Sequence, residues 1–204
     1  MALDFSFEKK LKRRGFRVII GLDEVGRGPL AGPVTACAVM IPEGLKFRVS
    51  GLKDSKKLTP KKREGFCYFF TKELKIHWAV ASVSPKVIDC VNIFEATKLA
   101  AKRAVLKLEK KIRKTSDLII IDGNATLNLA REQMAIVKGD EKISVCAIAS
   151  IIAKVKRDCM MLRYHKKYPE YRFDLHKGYG TKLHFQMIKK YRLSPIHRVS
   201  FRLF

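Results

Sequence analysis

The sequence predicts an α/β domain built on a mixed sheet. Two apolar runs of strand length lie near the start of the chain and are joined by a glycine-rich turn. Segments with helical periodicity then alternate with three further apolar runs, as in domains whose strands are connected by helices. The last part of the chain shows helical patterns only, so we expect it to pack as helices on one side of the sheet.

The first half of the chain contains three predicted strands and one predicted helix. Residues 17–22 form a β-branched run typical of a buried strand, and residues 33–41 form a second run that ends at a Pro-Glu-Gly turn. A Thr-Pro pair has the order of an N-cap followed by proline at the first helical position, which predicts a helix over residues 60–74. Residues 77–83 are predicted to be the third strand.

The second half alternates and then becomes helical. Apolar residues recur at helical spacing over residues 92–113, which predicts a helix there. Residues 118–121 and 134–137 are predicted strands, and a glycine and an aspartate follow each of them closely. Residues 143–166 predict a long helix, apolar at first and basic later, and residues 181–191 predict one more helix.

The charge of the chain favours a polyanionic partner. Lys and Arg number 43 against 19 Asp and Glu, which gives a formal net charge of +24. Such an excess disfavours self-association and favours nucleic acid or an anionic membrane surface. Residues 159–204 carry eleven basic residues against two acidic ones. We interpret this imbalance as contact with a phosphate backbone.

Two further features point to the cytosol. No stretch approaches the ~18 uninterrupted apolar residues of a spanning helix, and the N-terminus lacks the apolar region of a secretion signal. The five cysteines contain no CxxC pair and lie mostly in apolar runs, so we expect reduced core thiols and no structural zinc site. We therefore expect a cytoplasmic monomer without a membrane partner.

Four acidic residues follow predicted strands. Asp23 and Glu24 come after the first strand, Asp122 after the fourth and Asp140 after the fifth. Ligands of open α/β sheets gather at the carboxyl ends of strands, so these side chains converge if the three strands are parallel neighbours. Carboxylates without His or Cys suit Mg²⁺ or Mn²⁺, and two such ions ~4 Å apart can activate water and stabilise the leaving oxygen in phosphodiester cleavage.

Each acid also has a simpler interpretation. Asp122 precedes a glycine and fits a turn, and Asp140 fits the N-cap of the helix that begins near residue 143. The adjacent pair Asp23-Glu24 is harder to explain, because a turn needs only one such residue. Neighbouring residues of a strand face opposite sides of the sheet, so these two share a site only if the strand is already ending before Gly26.

Seven segments of the chain occur in the order seen in bacterial ribonuclease HII. They are DEVGRGPLAGPV (23–34), DSKKL (54–58), IDGN (121–124), KGD (138–140), ASIIAKVKRD (149–158), HKGYGT (176–181) and SPIHR with SF (194–201). Together they resemble that family over about residues 17–201. The resemblance implies an RNase H-like fold, with a mixed five-stranded sheet flanked by helices and a C-terminal helical extension. It also implies a single domain over residues 1–204, with a core over about 17–168 and a basic helical part over about 169–204.

The resemblance further implies an endoribonuclease that depends on Mg²⁺ or Mn²⁺. The family cleaves RNA in RNA–DNA hybrids and incises 5′ to a single ribonucleotide embedded in duplex DNA, leaving a 3′-hydroxyl and a 5′-phosphate. Its four catalytic carboxylates, which hold two divalent ions, correspond to Asp23, Glu24, Asp122 and Asp140. Asp158 matches the family too, and we expect it to pair with a nearby basic group instead of binding metal.

Substrate contacts are carried over from the same segments. The family's junction-reading residues correspond to Gly26, Arg27 and Gly28, and its sugar-stacking tyrosine corresponds to Tyr179. Backbone groups of a glycine turn can approach a ribose 2′-hydroxyl closely because no Cβ intervenes. Without the resemblance, Tyr179 is a surface turn residue. Residues suited to phosphate oxygens, with a polar loop or surface charge as the alternative, are Ser55, Lys56, Lys154, Arg157, His176 and Lys177.

Two other functions fit parts of the sequence. Ribonuclease HIII shares the acids, but it usually carries an additional N-terminal domain and lacks the GRG pattern, whereas 16 residues precede the first predicted strand here. A non-catalytic basic RNA-binding protein fits the charge, although strand-end acids would weaken phosphate binding unless metals offset them. A replication-clamp contact through residues 201–204 is a further hypothesis; we expect this end to pack onto the fold instead.

Overall fold

A computed structural model describes residues 5–45, 47, 49 and 58–202 of the chain. The strands in these residues are Ile19–Val25 (β1), Val34–Met40 (β2), His77–Val83 (β3), Leu118–Asp122 (β4) and Glu132–Ile136 (β5). The α-helices are Ser6–Arg13 (α1), Pro60–Tyr68 (α2), Pro85–Ile112 (α3), Gly139–Lys142 (α4), Ser144–Lys167 (α5), Phe173–His176 (α6) and Lys182–Tyr191 (α7). A π-helical turn (Phe69–Glu73) extends α2, and a 3₁₀ turn (Pro169–Tyr171) follows α5.

The strands form one mixed sheet in the order β3-β2-β1-β4-β5. β2 pairs antiparallel with both β1 and β3, whereas β1, β4 and β5 are parallel neighbours. The register places Leu22 of β1 opposite Ile121 of β4, so the next residues, Asp23 and Asp122, lie at the same level of the sheet. The predicted mixed sheet is confirmed, and its parallel strands carry the acids to one edge.

Helices cover both faces of the sheet. Ile20 and Leu22 of β1 point to the face covered by α3, where alanines of the helix let it approach closely. The other face is covered by α5, whose Val145 meets β1 at Gly21. A Cβ added to Gly21 would lie 2.5 Å from Cγ2 of Val145. Only glycine allows this close contact, and it fixes the start of α5 beside the acidic end of β1.

The first strand is longer than predicted. β1 continues to Val25 and remains paired with β2 over its whole length, with Glu24 opposite Ala36 and Val25 opposite Thr35. The strand therefore runs through Asp23 and Glu24 and ends only at Val25, so the alternation of side chains applies to both acids.

Two helical features were not predicted, namely α1 and an interruption within α3. α1 precedes the sheet, and its Glu8 accepts a 2.9 Å hydrogen bond from the backbone amide of Val145 in the first turn of α5. The N-cap residue of α5 is Ile143, so the interpretation of Asp140 as that cap was wrong. α3 begins at Pro85 and is interrupted at Asn92 (φ 67°, ψ 167°), whose side chain accepts hydrogen bonds from the two amides that restart the helix.

The C-terminal part is helical, as predicted. A small buried cluster joins it to the end of α5 and to the turn after β1; its members are Ala31, Met161, Tyr171, Phe173 and Ile196. Phe201 is partly buried against the α3 side of the core, as expected for a residue that packs onto the fold, and residues 203 and 204 lie outside the described residues. Among the helices described, none combines the length and apolar character needed to cross a membrane.

Candidate metal centre and nucleic-acid interface

Three of the four predicted acids meet at the end of the parallel strands. Carboxylate oxygens of Asp23, Asp122 and Asp140 all lie within 4.8 Å of one another. Asp23 and Asp122 come from neighbouring positions of β1 and β4, and Asp140 comes from α4. The backbone amide of Gly139 donates a 2.7 Å hydrogen bond to Oδ1 of Asp122, which holds the start of α4 against the end of β4.

The surroundings of Asp23 disfavour its negative charge. Asp23 and Asp140 are each only 8% exposed. Burial first, and then the charges of Glu24 and Asp122, raise the pKa of Asp23 well above its ordinary value. Hydrogen bonds to Asp23 from Ser150 and from the backbone amide of Glu24, the latter 2.7 Å long, oppose this rise but do not cancel it. A buried carboxylate that resists ionisation, with two more carboxylates beside it, is best stabilised by a cation between them.

The donor set suits a hard divalent ion. Every ligand atom in the cluster is a carboxylate oxygen, and the cluster contains no histidine or cysteine. Mg²⁺ and Mn²⁺ prefer such oxygen ligands, whereas zinc sites are usually built from nitrogen and sulfur. The residues therefore fit the metal predicted from the sequence.

Glu24 lies on the other face of the sheet from this cluster. Strand alternation directs Asp23 toward α5 and Glu24 toward α3, and Glu24 lines a shallow depression together with Phe94 and Lys98. Its Oε1 lies 3.4 Å from the guanidinium of Arg27. Asp122 lines the same depression, and the negative charge of Glu24 helps to raise the pKa of Asp23. Glu24 is thus a neighbour of the cluster at the sheet edge, and its role as a metal ligand stays a prediction.

Ser150 is a site residue that the sequence analysis missed. It lies in α5, is 5% exposed and donates the side-chain hydrogen bond that lowers the pKa of Asp23. The signal was present, because Ser150 belongs to the segment ASIIAKVKRD that resembles the family.

The turn that follows β1 is shaped by Gly26. Its φ is +94°, and a Cβ at this position would lie 2.3 Å from Nε of Arg157. Gly28 differs, because a Cβ there would have no atom within 4 Å and its backbone faces open space. The side chain of Arg27 between them is 52% exposed and lines the same depression as Asp122. The turn therefore lies beside the acids, with backbone accessible at Gly28.

Tyr179 lies in a loop that contacts this turn. The backbone amide of Leu30 donates a 2.8 Å hydrogen bond to the carbonyl of Gly178. The Tyr179 ring is 39% exposed, and Nζ of Lys154 lies 5.5 Å from its centroid. The predicted junction turn and the predicted sugar-stacking ring are therefore adjacent.

The remaining predicted phosphate contacts have different outcomes. Lys154 and Lys177 line one cleft of about 300 Å³ beside Tyr179. Asp158 lines it as well and pairs with Lys154 at 2.9 Å, as expected for a structural partner. Arg157 and His176 are buried, so their interpretation as phosphate contacts or surface charge was wrong. Ser55 and Lys56 lie outside the described residues.

Comparisons with known proteins identify the family of the chain and its structural relatives. The family model described as ribonuclease HII matches residues 20–204. A ribonuclease HII from Endomicrobium trichonymphae is 48% identical over 198 residues, covering 97% of this chain and 91% of its own length. The crystal structure of ribonuclease H2 from Pyrococcus horikoshii OT3 is similar with a TM-score of 0.72 at 27% identity, covering 92% of this chain and 95% of that one. Bst-RNase HIII in complex with Mn²⁺ shares the fold with a TM-score of 0.73 at 18% identity, covering 91% of this chain and 67% of that one.

Proposed function

The chain belongs to the ribonuclease HII family, whose members are endoribonucleases that cleave RNA in RNA–DNA hybrids, and on this premise we propose that it also incises duplex DNA 5′ to a single embedded ribonucleotide. The observation that carries the proposal is the position of the turn at residues 26–28, whose Arg27 lines one depression with Asp122 of the acidic cluster. A backbone able to approach a 2′-hydroxyl thus lies beside the carboxylates that serve hydrolysis.

Asp23, Asp122 and Asp140 would hold the divalent ions on which the family depends, with Glu24 joining them from the sheet edge. Two bound Mg²⁺ or Mn²⁺ ions supply an activated water and charge stabilisation for the leaving 3′-oxygen. Cleavage on that side of the phosphate leaves a 3′-hydroxyl and a 5′-phosphate.

The chain's own residues select the substrate. We assign recognition of the 2′-hydroxyl, which both donates and accepts hydrogen bonds, to the turn at Gly26, Arg27 and Gly28, whose accessible backbone lies at Gly28. The exposed face of Tyr179 is suited to packing against the neighbouring deoxyribose, which has no hydroxyl at that position. The junction is the step from a ribonucleotide to the deoxyribonucleotide next to it, so recognition of both sugars identifies it.

Phosphate contacts orient the duplex around this junction. Lys154 and Lys177 border the cleft beside Tyr179, where phosphate oxygens of one strand would lie. Ser55 and Lys56 are assigned the same role from the sequence alone. The net charge of +24 supports a strong electrostatic contribution to binding, so affinity should fall steeply with added salt.

We also regard residues 1–204 as one domain that acts as a cytosolic monomer. The C-terminal part supports this arrangement, because Ala31 after β1 and His197 near the end form a β-bridge. The described cysteines are free thiols, which suits a reducing compartment.

One assay tests the activity. A DNA duplex with a single ribonucleotide is incubated with the protein and Mg²⁺ or Mn²⁺, and an RNA–DNA hybrid is run in parallel. We expect incision 5′ to the ribonucleotide, loss of that incision in Asp23→Asn, and no loss in Asp174→Asn, whose acid lies outside the cluster. Cleavage of the hybrid alone would favour a ribonuclease HIII-like specificity, and binding without cleavage of either substrate would exclude a nuclease.

A further inference from the structure

Two arginines are completely buried beside the recognition turn. Arg157 of α5 and Arg198 near the C-terminus are both 0% exposed. Within the described part of the chain, no carboxylate lies at ion-pair distance from either guanidinium. All of their side-chain hydrogen bonds go to backbone carbonyl oxygens. Burying two like charges without acids is costly, so the carbonyls they bind must matter to the fold or to function.

Arg198 holds both ends of the turn. Its Nη1 donates to the carbonyl of Arg27 at 2.9 Å, and its Nη2 donates to the carbonyl of Gly26 at 2.5 Å. Nε and Nη2 also donate to the carbonyl of Gly32 at 3.0 and 2.8 Å. One guanidinium therefore closes the turn by binding carbonyls from its two sides.

Arg157 joins that turn to the Tyr179 loop. It donates to the carbonyls of Pro33 at 3.0 Å and Ala31 at 3.2 Å, and from Nη1 to the carbonyl of Lys177 at 3.1 Å. Its guanidinium carbon lies 5.7 Å from the centroid of the Tyr179 ring. The side chain thus connects the end of the turn with the residue two positions before the tyrosine.

The two segments leave no room for independent movement. Gly178 has φ +87°, and a Cβ there would lie 2.5 Å from the carbonyl oxygen of Ala31. That carbonyl also accepts from Arg157, and the Leu30 amide bonds the Gly178 carbonyl. A displacement of either segment would break bonds of both.

We infer that Arg157 and Arg198 are positioning residues for ribonucleotide recognition, because they fix the turn at residues 26–33 and the Tyr179 loop as one unit. The inference rests on the proposed junction activity. It adds that the turn, which binds the 2′-hydroxyl, and the Tyr179 ring, which packs against the deoxyribose, act only at a fixed separation. Neither arginine contacts the acids, so hydrolysis itself depends on them less.

Lysine cannot replace arginine in this role. A guanidinium has five N–H donors in a planar fork, and each arginine here uses all three of its nitrogens on carbonyls that lie in different directions. A lysine keeps the positive charge but offers a single nitrogen. Substitution by lysine therefore removes the geometry while it retains the charge.

The test compares Arg157→Lys and Arg198→Lys with Arg163→Lys, an exposed arginine of the same helix as Arg157. For each variant, kcat/KM is measured on the single-ribonucleotide duplex and on the RNA–DNA hybrid. We expect the ratio of the two to fall about tenfold or more in the buried variants, since small misplacements of recognition groups have effects of this size. Arg163→Lys should keep the wild-type ratio. A parallel loss on both substrates, or an unchanged ratio, would overturn the inference.

Amide hydrogen exchange supplies a readout that does not depend on activity. In Arg157→Lys, protection should fall at the amides of Leu30 and Gly32 while it stays unchanged in β1 and β4. If the buried variants do not fold, Gly178→Ala separates the same segments while both arginines remain, and its substrate ratio should fall as well. Absence of junction incision by the wild-type protein would contradict the proposed function, whereas wild-type exchange in the arginine variants would contradict only the present inference.

Discussion

The carboxylate of Asp122 and the backbone amide of Gly139 are joined by a hydrogen bond of 2.7 Å. This bond connects the end of β4 to the residue immediately before Asp140, so it sets the distance between two of the three clustered acids. A Cβ on Gly139 would lie 3.3 Å from Cα and 3.4 Å from Oδ1 of Asp122. A side chain at residue 139 would therefore press against Asp122.

Gly139→Ala should weaken metal binding more than it weakens the fold. The added methyl group displaces Asp122 by a few tenths of an ångström, which widens a cage of buried ligands. We expect the Mg²⁺ concentration for half-maximal cleavage to rise by about tenfold. Titration of hybrid cleavage against Mg²⁺ measures this shift. Gly65→Ala is the control, because a Cβ at that helical position meets nothing within 4 Å and should leave the titration unchanged. An unshifted titration for Gly139→Ala would show that the Asp122 contact does not tune the metal site.

The sheet and its acids could be predicted because local patterns determine them. Apolar runs of strand length and the acids that follow them are visible in the sequence, and the parallel pairing of β1, β4 and β5 then brings Asp23, Asp122 and Asp140 together. The direction of Glu24 could not be predicted, because it depends on whether β1 ends before or after residue 24. Pairing with β2 decides that, and it is a long-range interaction.

The buried arginines could not be predicted for a related reason. Arg157 lies in a basic segment, and charge in a sequence is normally interpreted as exposed. Its burial depends on carbonyls of Ala31 and Pro33, more than a hundred residues away in the chain. A glycine-rich turn leaves backbone carbonyls that need hydrogen-bond donors. The pattern of side chains in a sequence does not show which residue will supply those donors.

Asp23→Asn should greatly reduce cleavage and also stabilise the metal-free protein. The pKa of Asp23 is raised in the folded state, so folding favours the protonated acid; the resulting stability is present at low pH and is lost as pH rises through the folded-state pKa. At neutral pH the charged carboxylate is therefore a cost, which asparagine removes. We expect urea unfolding in EDTA to show a gain of about 1 kcal/mol or more.

Added Mg²⁺ should make the wild-type protein more stable than Asp23→Asn. Saturating Mg²⁺ binds the folded wild-type protein and raises its free energy of unfolding, whereas the variant gains less because one ligand is missing. Hybrid cleavage by the variant should fall by at least about a hundredfold. Asp174→Asn removes an acid outside the cluster and should respond to Mg²⁺ as the wild type does. A variant that is less stable than the wild type in EDTA would contradict the account of Asp23.

Glu8→Ala should destabilise the fold through α5. The Glu8 carboxylate is 6% exposed and accepts from the amide of Val145, in the helix turn where capping groups normally bind. Its loss should cost about 1 kcal/mol, as loss of a helix cap does, and lower Tm by a few degrees. Lys9→Ala changes an exposed neighbour on α1 and should leave Tm within about a degree of the wild type. Equal Tm values for the two variants would show that α1 does not support α5.

A chain of hydrogen bonds between two histidines should make the protein acid-labile. Nε2 of His184 and Nε2 of His197 are 3.0 Å apart, and Nδ1 of His184 lies 2.9 Å from the carbonyl of Tyr179. The amide of Ser194 donates to Nδ1 of His197, so the proton of His197 is on Nε2 and points at His184. His184 must then carry its proton on Nδ1 and donate a hydrogen bond to the carbonyl of Tyr179. Both rings are neutral in this arrangement.

Protonation of either ring breaks the chain. Burial is the main reason that the pKa of each histidine is lowered to about 4, and the charge of His176 adds to the effect. An unfolded histidine titrates near 6.5, so the unfolded state binds more protons than the folded state between pH 6.5 and about 4. The free energy of unfolding should therefore fall as pH is lowered through this window, by on the order of 1–3 kcal/mol.

His197→Gln should reduce that pH dependence. The glutamine amide can donate to His184 and its carbonyl can accept from Ser194, so the bond pattern is retained without a titratable ring. Urea unfolding between pH 7 and pH 4.5 should show a smaller slope against pH than the wild type does, because one of the histidines with a lowered pKa is gone. Lys189→Gln, which changes an exposed residue of the same helix as His184, should keep the wild-type slope. A wild-type slope in His197→Gln would mean that acid unfolding is governed by groups other than this pair.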